Sequence, residues 1–133
     1  MATIIKHFAS PNAPDRVWAV FADTGAVHTR LAPGFVTDTR LEAGARVVTF
    51  VNGFVARETI VTVDPAARRL VYSAAGGSLT HHNASFQVEP DGAGGSTIRW
   101  TADLLPEAAA ETVGAMMDHG AAAMTKALAG DVD

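Results

Sequence analysis

With no cysteine in the chain, thiolate metal sites, disulfides, iron–sulfur clusters and thiol nucleophiles are excluded. The chemistry open to it falls to a few acids, histidines and one tyrosine. Glu58 is the most informative acid, because it interrupts an otherwise apolar run, Phe54-Val-Ala-Arg-Glu-Thr-Ile-Val-Thr-Val63. Strand alternation puts it on one face with Phe54, Ala56 and Ile60. It is either a solvated carboxylate paired with Arg57 or with Arg46 of a neighbouring strand, or a carboxylate facing an apolar cavity. In the second case it would need a partner or take a raised pKa, and could organise a water or a ligand hydroxyl.

His81, His82 and Asn83 form a polar knot. Alternation places His82 with Ala84, Phe86 and Val88, and sends His81 and Asn83 to the wetter side with Ser85 and Gln87. His82 reads first as a hydrogen-bonded rim histidine and second as a proton carrier. Adjacent histidines on a strand face opposite ways, so His81 and His82 make a poor chelate. His7, His28 and His119 are isolated and no H-E-x-x-H pair occurs, so no metal is expected. Tyr72, the sole tyrosine, is an amphipathic packing residue or a phenolic donor. Neither a phosphate-cradling glycine loop before a helix nor a G-x-S-x-G elbow is present, and no cofactor is expected.

These side chains depend on the elements that carry them. Thr3–Ala9 reads as a strand. Pro14 marks a helix start, with Asn12 or Ala13 near the cap, Asp15 in the first turn, and Val17, Trp18 and Phe21 as its apolar stripe. Asp23-Thr-Gly-Ala-Val-His28 reads as a second short helical segment capped by Asp23 and stopped by Ala32-Pro-Gly34. From Phe35 to Leu104 the period becomes strand-like. Six runs, Phe35–Glu42, Arg46–Val51, Phe54–Val63, Arg68–Ala75, Thr80–Glu89 and Ser96–Leu104, are separated by turn signals. Asn52-Gly53 is the sharpest of these, as both residues accept the positive φ of a two-residue hairpin turn. Such short connections imply an antiparallel meander, seven strands with the first.

Beyond Pro106 the pattern is helical from Glu107 to Ala129, with Gly130 as its stop. Val113, Met116, Met117, Gly120, Met124 and Leu128 share one face of a helix about 35 Å long. The expected architecture is α+β, one domain over residues 1–133. A strongly curved sheet cannot cover its own concave face, so the last helix must cross it, and a cavity tends to remain between them. Trp100, with Ile98, Ala102 and Leu104, would face that space. So would Phe86 and the three methionines, whose thioethers adapt to variable shapes. Each of these equally suits a plain core.

The net charge of −4, from 10 Lys+Arg and 14 Asp+Glu, argues against a nucleic-acid partner. No stretch is long and apolar enough to span a membrane, and no signal peptide is evident at Met1–Ser10, so the expected location is the cytoplasm.

Taken in order, Pro14-Asp-Arg-Val-Trp-Ala-Val-Phe-Ala-Asp23, Ala56-Arg-Glu-Thr-Ile60, Asp64-Pro-Ala-Ala-Arg-Arg-Leu-Val-Tyr72, Val88–Ala102 and the closing helix resemble the START-like, or SRPBCC, superfamily with its helix-grip fold. The nearest branch looks like the bacterial polyketide cyclase/dehydrase-type proteins grouped with plant abscisic-acid receptors. The resemblance implies a seven-stranded curved antiparallel sheet wrapped around the C-terminal helix, with two short helices after the first strand. It favours the cavity reading of Glu58, because relatives place a polar or acidic residue at the matching position. Glu58, Tyr72, His82, Phe86, Trp100, Met116, Met117, Gly120 and Met124 are then the expected ligand-binding set, with Glu58 and His82 the catalytic candidates.

Loops at Asn52-Gly53-Phe54 and Gly76-Gly77-Ser78-Leu79 match the positions of the receptors' gates but lack their sequences. The implied function is binding of a small hydrophobic, aromatic or polyketide-like ligand, in a superfamily that includes lipid carriers. Cyclase/dehydratase catalysis and a co-chaperone-like interaction module are the alternatives. A homodimer is the assembly to test for.

Overall fold

The computed structural model describes residues 1–132, and the seven expected strands all form. They are β1 (Ala2–Ser10), β2 (Val36–Glu42), β3 (Ala45–Phe50), β4 (Val55–Asp64), β5 (Arg69–Ala75), β6 (His81–Pro90) and β7 (Ser96–Leu105). They make one antiparallel sheet in the order β1-β7-β6-β5-β4-β3-β2. Every pair but β1–β7 joins strands that follow one another along the chain, as short turns require. α1 (Pro14–Ala22) follows β1, and α2 (Ala110–Ala127) lies across the concave face, packing against β1.

α1 begins as its proline dictates. Ala13 is the N-cap, without a side-chain cap bond, and Val17, Trp18, Val20 and Phe21 are buried. The next segment differs from the expected capped helix. It is a single wide turn, Val27–Leu31, closed by the Ala32 N–H donating to the Val27 carbonyl at 2.7 Å. Asp23 does not cap it, because its carboxylate pairs with Arg30 at 3.0 Å.

Two other local expectations are corrected. In the β3–β4 connection three residues separate Phe50 from Phe54, with the Gly53 N–H bonding the Phe50 carbonyl and the Phe50 N–H bonding the Phe54 carbonyl. Only Gly53 takes positive φ, +88°, while the Asn52 side chain accepts from the Phe54 N–H. This is the three-residue loop with one left-handed glycine, which needs no strain at Asn52. The C-terminal helix is also shorter than the pattern implied. Glu107–Ala109 is one tight turn, and α2 proper spans about 27 Å. Its end is made by the Leu128 N–H donating to the Met124 carbonyl, not by a left-handed Gly130.

Alternation sorts the sheet. Leu70, Tyr72, Ala84, Phe86, Val88, Ile98, Trp100, Ala102 and Leu104 are buried on the concave side, against Met117, Met124 and Leu128 of the C-terminal segment. Gly120 permits that approach. A Cβ there would lie 3.0 Å from the Trp100 ring and 3.1 Å from Phe35. Gly120→Ala gains about 1 kcal/mol of helix propensity. It forces back a Trp100 ring already held by Tyr72 and Phe86, and over-packing costs about 1–3 kcal/mol. A net loss of about 1 kcal/mol with a shift in Trp100 emission is expected; unfolding at unchanged or higher denaturant would show that the ring yields freely.

Candidate functional site

Small residues open the space. Ala56, Ala74 and Ala102, from β4, β5 and β7, sit on the concave face where larger side chains would reach α2. A cavity of about 130 Å³ remains, closed by Val113, Met116, Met117 and Met124 of the helix and by Phe35, Phe50, Phe54 and Leu79 from the strand ends and loops. Eight of the nine expected residues line it, namely Glu58, Tyr72, His82, Phe86, Trp100, Met116, Met117 and Met124. Gly120 is the exception: it lies off the wall, where it lets Trp100 and Phe35 meet the helix.

The wall is apolar except for four side chains on β3 to β6. Arg46 and Glu58 are direct cross-strand partners. The Arg46 Nε donates to Glu58 Oε1 at 2.8 Å, and both residues are buried, 3% and 7% exposed. Arg57, the other partner open to Glu58 from sequence, points away and pairs with Glu42. Arg46 also contacts the Thr24 carbonyl at 3.5 Å, and its guanidinium carbon lies 5.4 Å from the Tyr72 ring centre. Removing two charges from water is costly, and here the mutual bond and the ring face offset that cost. Glu58 Oε2 and Arg46 Nη2 bond no other group among the described residues.

Tyr72 follows along the face. Its hydroxyl accepts from Trp100 Nε1 at 3.0 Å and donates to no group among the described residues. Burial, reinforced by the nearby Glu58 charge, pushes its pKa far above the ordinary phenol value, so it stays a neutral hydroxyl. Tyr72, Phe86 and Trp100 stack in sequence, with centroids 5.9 and 4.8 Å apart, and Phe21 leans on Phe86 at 4.7 Å.

His82 is half-buried on the same row. Its Nδ1 accepts the Ala74 N–H at 3.0 Å, which leaves Nε2 to carry the proton of the neutral ring. Burial, with a smaller push from His81, holds its pKa below the ordinary histidine value. The folded protein binds this proton less readily than the unfolded chain, so His82 contributes stability above about pH 6.5 that is lost as pH falls below it. In His82→Gln, urea midpoints should fall less between pH 7 and pH 5 than in the parent; parallel curves would remove His82 from the acid response.

Arg46 is the site residue that sequence reading named only as a salt-bridge option. Its signal was a charged residue in phase with Val48 and Phe50 on β3. Among the described residues, no three His, Asp or Glu side chains cluster as metal ligands would, and no helix is long and apolar enough to cross a membrane.

The family model for polyketide cyclase / dehydrase and lipid transport matches residues 1–131. None of the curated proteins matches the chain. Among solved structures, protein XoxI from Bacillus cereus superposes with a TM-score of 0.84 at 18% identity, covering 96% of each chain. A START superfamily protein from Mycobacterium smegmatis gives 0.73 at 13% identity, over 95% of this chain and 96% of that one. The Zhui aromatase/cyclase from a Streptomyces species gives 0.68 at 18% identity, over 96% and 90%. At these identities the shared property is the fold, the helix-grip arrangement of the START/SRPBCC superfamily.

Proposed function

Because this chain belongs to the polyketide cyclase / dehydrase and lipid transport family, we propose that it binds a small hydrophobic ligand between the sheet and α2. The observation that carries this reading is a cavity with an apolar wall and one polar cluster, Arg46–Glu58 with Tyr72 and His82. Such a wall holds a ring or chain, while a few placed donors and acceptors orient it. The volume of about 130 Å³ is smaller than the roughly 300–1,000 Å³ of drug-sized pockets. It is comparable to cavities of about 150 Å³ that take one benzene ring. The inner site therefore suits a single ring or a short branched chain.

Binding is favoured over cyclase or dehydratase chemistry by what the polar groups already do. A general base needs a free lone pair within reach of the proton it takes. Glu58 gives Oε1 to Arg46, and the Nδ1 lone pair of His82 is spent on the Ala74 N–H. Glu58 is left for that role, chiefly through Oε2, and among the described residues no second acid or base is bonded to that oxygen. Native mass spectrometry of the protein purified from its own cells tests the proposal. A small apolar molecule travelling with the chain, and lost on denaturation, is the expected result. A bare mass, together with no binding of single-ring aromatics, would reject it. Turnover of an identified substrate that drops in both Glu58→Gln and His82→Ala would support the enzyme reading instead.

A further inference from the structure

Beside the inner cavity, on the far side of Phe35, Phe50 and Met116, lies an open groove of about 540 Å³. Its walls are the Pro33-Gly34-Phe35 loop, the Phe50-Val51-Asn52 strand end and the face of α2 from Met116 to Lys126. Phe35, Phe50 and Met116 line both hollows, so the two share one wall of half-buried apolar side chains. We propose that this groove is a second compartment for the same ligand, seating an acidic end group against Lys126, so that the ligand is an amphipathic carboxylic acid. The inference rests on the inner-cavity reading and extends it.

Charge carries the argument. The chain has more acids than bases, yet among the described residues no carboxylate lines this groove, and Lys126 is the one formally charged residue of its lining. Lys126 forms no ion pair among the described residues, whereas Lys6, on the other flank of α2, is bound to Asp118 at 2.8 Å. A cation in the last turn of a helix is favoured by the helix dipole. That accounts for a lysine at this position but leaves its ammonium group available. Size agrees: the inner cavity suits a single ring or a short branched chain, so the remainder of a longer ligand would lie past the shared wall, in the groove.

The test uses two probes of equal length, phenylheptanoate with the ring at the far end of the chain and its uncharged amide, titrated calorimetrically at low salt and at about 0.5 M salt. The acid should bind about two- to fivefold tighter than the amide at low salt, the range expected of an exposed ion pair. The two should compete for one site. In Lys126→Gln, and at high salt, the preference should vanish while the amide is unaffected. Ala122→Glu, which adds a carboxylate to the same groove, should weaken the acid more than the amide. Equal affinities in the parent, a preference that survives Lys126→Gln, or acid binding that the amide does not displace would each overturn this inference and leave the inner cavity standing. Binding of neither probe would count against the inner cavity itself, and this inference would fall with it.

Discussion

Glu58→Ala is expected to lower stability by about 3–5 kcal/mol, because it strands a buried guanidinium without its counter-charge. Arg46 is 3% exposed, and its remaining polar contact is the long one to the Thr24 carbonyl. Urea unfolding followed by circular dichroism measures the loss. The double variant Arg46→Met/Glu58→Leu should recover most of it, since replacing a buried pair with apolar side chains of similar volume is often neutral or stabilising. That contrast separates a pair kept for stability from one kept to face a ligand. If the double variant is stable but no longer retains the copurifying molecule, the pair serves recognition. A loss below about 1 kcal/mol in Glu58→Ala would show that water reaches Arg46 through the cavity and satisfies it there.

Phe86→Ala should cost a similar amount, about 3–5 kcal/mol, for a different reason. Phe86 is 1% exposed and is the centre of a group of rings, in contact with Phe21, Tyr72 and Trp100. Truncation removes its burial energy and leaves a void continuous with the existing cavity, since Phe86 is already part of that wall. The enlarged hollow should then admit a small apolar solute. Toluene at about 100 times its dissociation constant would return about 2.7 kcal/mol. Thermal melts with and without toluene make the measurement. A loss of stability with no rescue would mean that Tyr72 and Trp100 collapse together and close the space.

Most of the architecture was legible in the residues. Period-two runs bounded by Ala43-Gly44, Asn52-Gly53, Asp64-Pro65 and Pro90–Gly95 set all seven strands to within a residue or so, because alternation reports directly which side of a half-buried strand meets the core. For the same reason, eight of the nine residues named from sequence stand on the cavity wall. Where the reading missed, local signals competed. Asp23 looked like a helix cap but found a stronger partner in Arg30. The alanines after Pro106 promise helix from Glu107, yet the first turn tightens. Gly120 sits in phase with the methionines but serves ring packing. Periodicity tells which face a residue is on and says nothing of what it touches there.

From sequence alone, then, come the absence of thiol chemistry, the antiparallel meander, the covering helix, and a carboxylate out of place on an apolar face. These follow from residue type and spacing. Tertiary structure decided the rest: that Glu58 meets Arg46 instead of Arg57, that His82 gives its Nδ1 to Ala74, that Tyr72 receives the Trp100 indole, and that the hollow holds about 130 Å³. Partner choice across strands depends on register, and cavity size on how far α2 stands from the sheet. Both are set by the summed packing of residues distant in the chain, which no local pattern records.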